Sequence, residues 1–172
     1  MSNRPLTRTL GLLLLALSLV AEVRAQADTA AQLKAQILIK ALRFVDWPAA
    51  SLGPGQPLHL CLADDSPLAQ ALGALAAPAV NEHALRLRAL RDRQLAACHV
   101  ALVGPAQDWS GVATGATLLV AEAPGMLDRG AMLNLQVEDG RVVFDVDLDA
   151  TRRAGLEISA KLLRLARYVR KR

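Results

Sequence analysis

The chain is poor in aromatic side chains, which make up 3% of its 172 residues. So few rings exclude the stacked platform on which single-stranded nucleic acids bind and leave any core to aliphatic packing. Cysteine is equally scarce, with Cys61 and Cys98 the only two. Neither Cys-x2-Cys nor His-x3-His spacing occurs, so a structural zinc site has no basis in the sequence. Nor is there a glycine-rich phosphate loop, a nucleophile elbow or an HExxH pattern. No set of residues argues for an enzyme, a metal or a cofactor. What the chain does carry is aliphatic bulk: 53% hydrophobic against 21% charged residues, a balance that excludes disordered and collagen-like classes. Its length fits one ordinary domain.

A transmembrane segment is also lacking. The longest apolar run, Leu10 to Ala21, is about a dozen residues, against the roughly 20 needed to span a bilayer. Arg4 and Arg8 precede it and Val23-Arg24-Ala25 follows, which is the layout of a secretory signal peptide at residues 1–25, cut between Ala25 and Gln26. The domain is then 26–172, and the expected location is the periplasm. Charge along that domain is uneven. Residues 152–172 hold eight Lys or Arg and one acid, Glu157, while residues 26–151 are acidic on balance. Export makes nucleic acid an improbable partner for this basic end, leaving an acidic protein patch, a membrane surface or plain solvation.

The periodicity reads as a single compact α/β domain. Thr29 and Gln32 form a capping-box pattern ahead of Leu33, Ile37, Leu38, Ala41, Leu42 and Val45, an amphipathic helix ended at Asp46-Trp47-Pro48. Leu58–Ala63 reads as a buried strand, followed by a helix capped by Asp65 or Ser66 with Pro67 in its first turn. Ala84–Leu90 alternates as a half-exposed strand, and His99–Val103 and Ala116–Ala121 are further buried ones. Such strands with helix-sized spacers predict a mixed, mostly parallel sheet flanked by helices. Met132–Val137 and Val142–Leu148 flank an Asp139-Gly140 turn and predict an antiparallel hairpin near the C-terminus. After it, Asp149 caps a final amphipathic helix whose apolar face holds Leu156, Leu162, Leu163, Leu165, Ala166 and Val169.

Three groups invite a chemical reading. In an oxidising compartment Cys61 and Cys98 form a disulfide, whose 37-residue loop is worth roughly 3–4 kcal/mol in the chain-entropy model; the alternative is two buried thiols on strands that never meet. His59, Cys61, Cys98 and His99 make a poor metal site, because neighbours such as Cys98 and His99 point to opposite faces of a strand. Asp145, Asp147 and Asp149 begin like a calcium loop, but Ala150 and Leu156 stand where glycine and the last acidic ligand belong. They read instead as carboxylates on the wet face of a strand plus a helix cap.

Taken together, the segments Arg43-Phe44-Val45-Asp46-Trp47-Pro48, Leu60-Cys61-Leu62-Ala63-Asp64-Asp65, Cys98-His99-Val100, Gly130-Ala131-Met132-Leu133-Asn134, Arg141 to Leu148 and Arg153 to Ala166 resemble the YfiR-like family of periplasmic regulatory proteins. The resemblance covers nearly the whole chain beyond residue 25. It implies a compact α/β fold, a Cys61–Cys98 bridge, and a negative regulator that inhibits an inner-membrane diguanylate cyclase through its periplasmic sensor domain, with an outer-membrane lipoprotein as a releasing partner and a homodimer as an assembly. The first helix lacks the aromatic residues common in the family, and a second cysteine pair is missing. Candidate partner-binding residues are Phe44, Trp47, Leu162, Arg164, Leu165 and Arg167; the competing assignment puts Trp47 and the leucines in the core. A periplasmic small-ligand carrier or sensor, using the loops at Asp64-Asp65 and Gly104-Pro105, is the alternative function.

Overall fold

The computed structural model describes residues 26–76 and 78–171; the proposed signal peptide lies outside the described residues. Among the described residues a helix, α1, covers 26–42. Ala31, Ala35, Leu38 and Leu42 recur at steps of four, three and four and are all buried. Two expectations for this helix are corrected. Thr29 sits inside it rather than capping it, and it ends before Asp46-Trp47-Pro48, because Phe44 turns back onto Ala41 and Val45–Asp46 form a short strand, β1.

The main sheet contains every strand that the apolar runs predict, and adds β3 and β10, which they do not. Its members are β2 (Leu58–Leu62), β3 (Ala79–Val80), β4 (His83–Ala89), β5 (Val100–Leu102), β6 (Leu118–Ala121), β7 (Leu133–Glu138), β8 (Arg141–Asp147) and β10 (Tyr168–Arg170), and β9 (Glu157–Ile158) pairs apart from it with β1. The order is β10-β8-β7-β6-β5-β2-β4-β3. Five of the seven ladders are parallel; β7–β8 and β3–β4 are antiparallel. In β5 and β6 every residue is buried, the mark of strands covered on both faces. The helix α2 (Pro67–Gly73) crosses between β2 and β4, with Ser66 accepting from the Ala69 amide and Pro67 in the first turn. By contrast, residues 103–117 link β5 to β6 without a helix. Asp139 and Gly140 both have positive φ, the geometry of a two-residue hairpin turn.

The final amphipathic helix is the main correction. Asp147, not Asp149, caps a short helix α3 (Leu148–Arg153) by accepting from the Ala150 amide. Gly155 then takes φ 73°, and the Leu156 amide donates back to the Thr151 carbonyl, a glycine-terminated helix end. Beyond it come β9, a single turn α4 (Ala160–Leu163) capped by Ser159, and β10, which lies parallel to β8 at the sheet edge. The apolar spacing was right for a helix, but a left-handed glycine breaks the helical ladder at its first turns. The strand that follows finds its partner in the exposed edge of β8.

Candidate partner-binding surface

Where α1 lies along the hairpin, the side chains between them leave a groove of about 340 Å³. Ile37, Phe44, Phe144, Leu162 and Leu165 line it, with Lys40 and Arg167 at its edge. Leu162 is fully buried and Leu165 is 66% exposed, so one forms core and the other is offered to solvent. Val142 continues the apolar surface into a second groove of about 540 Å³, shared with Leu33 and Val137, both large and exposed. A contiguous apolar strip on a monomer surface is the usual mark of an interaction site. Basic groups stand beside it: the Lys161 ammonium lies 5.2 Å from the centre of the Phe44 ring, a cation–π distance.

Arg167 is held in place from behind. Its Nε donates to Asp145 Oδ1 at 2.9 Å, a second nitrogen donates to Asp145 Oδ2, and a third contact reaches Glu138 at 3.3 Å. These hydrogen bonds, Asp145 foremost, raise the guanidinium above its ordinary value, so it stays charged. Arg170 behaves alike, donating to the Leu127 carbonyl at 3.0 Å and to Asp128 at 2.6 Å, and standing 3.5 Å from Asp147. The expected placement of Asp145 and Asp147 on a wet strand face is therefore wrong. They are 6% and 7% exposed, because β10 covers β8 and brings an arginine to each carboxylate. Asp145 and Asp147 lie two apart in register with Tyr168 and Arg170. Two alternating acids on β8 and the arginines that flank and end β10, Arg167 and Arg170, were the available signal, hidden while 156–169 was read as a helix.

Of the six candidate contact residues, Phe44, Leu162, Leu165 and Arg167 share the groove. Arg164 is exposed at the end of α4 and does not line it. Trp47 is engaged elsewhere: its indole nitrogen donates to the His99 carbonyl at 3.1 Å. Cys61 and Cys98 are joined, with their Cα atoms 5.8 Å apart, linking β2 to the residue ahead of β5. Neither sulfur is then available as a metal ligand. Among the described residues no group of three or more His, Cys, Asp or Glu is arranged to hold a metal ion, and no helix is long and apolar enough to cross a membrane.

Compared with known protein families, residues 31–167 match the YfiR/HmsC-like model. The chain belongs to the YfiR/HmsC-like family. The match takes in every strand of the described sheet except β10, which begins at its far end. Members of this family are periplasmic regulatory proteins rather than enzymes, and a regulator of this YfiR/HmsC-like type acts on a partner. No curated protein matches the chain.

Proposed function

We propose that this YfiR/HmsC-like protein, exported by residues 1–25, is an inhibitor that holds an inner-membrane diguanylate cyclase inactive by binding its periplasmic sensor domain. An exported protein has no access to a cytoplasmic active site. It acts only by preferring one state of a partner that crosses the membrane, and a few kcal/mol of preference suffice to shift that partner from mostly active to mostly inactive. The observation that carries this reading is the apolar strip from Leu33 to Leu165, bordered by Lys40 and Lys161 and braced by Arg167. Such a surface supplies the area and the charge for a protein contact. Release follows when another protein, such as an outer-membrane lipoprotein, competes for the inhibitor; a homodimer would offer a second means of covering the strip.

The test is genetic and biochemical together. Deletion should raise cyclic-di-GMP and biofilm formation only while the cognate cyclase is intact, and a folded Leu165→Asp variant should fail to restore the low level. Unchanged nucleotide after deletion would remove the cyclase assignment. A second reading, a small-ligand carrier, draws on a cleft of about 410 Å³ at the carboxyl ends of β2 and β4, lined by Ala63, Asp64, Asp65 and Leu90, one strand from the β2–β5 boundary where the strand order reverses and open α/β sheets hold ligands. A metabolite that stabilises the protein, with no partner captured from crosslinked envelopes, would favour it.

A further inference from the structure

The chain has three histidines; His99 and His83 each bond to a carbonyl of residues 48–57, and the His59 ring lies beside that of His99. We propose that His99 is an acid-released latch on residues 48–57, its ring holding the segment against the sheet only while it is uncharged. The His99 Nε2 lies 3.0 Å from the Ser51 carbonyl, which only accepts, so Nε2 carries the proton. Nδ1 accepts from the His59 backbone amide at 2.9 Å. Both ring nitrogens are thus committed, one as donor and one as acceptor, which fixes the neutral tautomer. Adding a proton places an N–H at Nδ1 directly against the N–H of His59. Two donors then face each other, and the ring must leave one partner.

The surroundings give the added charge no refuge. The His59 ring lies 5.5 Å away, and Arg88 on β4 acts on it from the next strand. The segment 48–57 holds no titratable side chain, and Cys61 and Cys98 are bridged. Among the described residues no carboxylate pairs with either ring. Burial first, then Arg88 and His99, hold His59 below its ordinary value, so the neighbouring ring resists charging.

His83 is the built-in contrast. Its Nδ1 donates to the Gln56 carbonyl at 2.8 Å, and its other nitrogen stands 3.9 Å from Glu82. A second proton there leaves the bond intact and faces an acid. Acid therefore frees the Ser51 end of the segment and keeps the Gln56 end. Trp47, whose indole donates to the His99 backbone carbonyl, stays anchored just ahead of the released stretch. The latch does not depend on the regulatory reading; its use in responding to the pH outside the cell does.

The open segment binds protons that the closed one cannot, so opening grows as the pH falls below that of a free imidazole, about 6.5. Hydrogen exchange on the purified protein, corrected for intrinsic rates, should show the Ser51, Leu52 and His59 amides losing protection by up to about tenfold per pH unit below that point. The loss should vanish in His99→Asn, which keeps an acceptor but does not titrate, and persist in His83→Asn. Constant protection in the wild type, or a loss retained in His99→Asn, overturns the proposal. Should His99→Asn not fold, nitrogen NMR of the wild type decides. An Nε2–H tautomer whose titration moves with the His59 amide supports the latch; an Nδ1–H tautomer, or uncoupled titration, refutes it. Neither readout involves a partner, so failure of the latch and failure of the inhibitor reading remain distinguishable.

Discussion

The central strands and residues 148–171 are both rich in aliphatic side chains, yet they keep their form for different reasons. β5 and β6 are buried at every position and are strands because nothing but a sheet interior accepts a continuous short apolar run. The C-terminal stretch is only partly buried, with Leu165 and Tyr168 largely exposed. Its form depends on one left-handed glycine and on two arginines that reach buried acids. In the middle of the sheet burial decides; at its edge, polar partners do.

The comparison predicts that damage in the centre spreads and damage at the edge stays local. The largest effect is expected from opening the Cys61–Cys98 bridge by a double alanine substitution, which should lower stability in urea by roughly 3–4 kcal/mol. Leu60→Ala, at a fully buried position of β2, should cost about 3 kcal/mol and speed exchange of all core amides together. A smaller loss, about 1–2 kcal/mol after allowing for the partly exposed Arg167, is expected of Asp145→Asn. Its exchange signature should be confined to β10 and its contacts on β8; uniform loss across β2 and β5 would break the distinction between the regions.

Gly155→Ala sharpens the comparison through its sign. In a continuous helix the change would stabilise by up to about 1 kcal/mol. At φ 73°, with a Pro48 carbon 3.6 Å from the added methyl group, it should instead destabilise by about 1 kcal/mol. A stabilised variant would restore the helical reading. Smallest of all, Leu165→Ala should leave unfolding within about 0.5 kcal/mol of the wild type, whereas partner capture should fall.

Much of the fold was legible in local pattern. Continuous apolar runs named β2, β5 and β6, Asp139-Gly140 named the hairpin, and Ser66-Pro67 marked the start of α2. Legibility stopped where two distant segments meet. Leu156 to Val169 carries a helical period, and no local rule says that Tyr168–Arg170 would prefer the edge of β8. The candidate surface followed the same division. Phe44, Leu162, Leu165 and Arg167 share a groove, although the core was the competing assignment for the leucines and only Leu162 is buried, whereas Trp47 was drawn away by a carbonyl 52 residues along the chain.

By its composition and spacing alone, the sequence determined an aliphatic α/β core, a parallel centre and a closing hairpin, because burial and turn chemistry act over a few neighbouring residues. The path of the C-terminal segment, the burial of Asp145 and Asp147 beneath arginines, and the meeting of His83 and His99 with one loop were decided only in three dimensions. A hydrogen bond or ion pair depends on where two groups finally lie, and that is set by the whole packed sheet rather than by either segment.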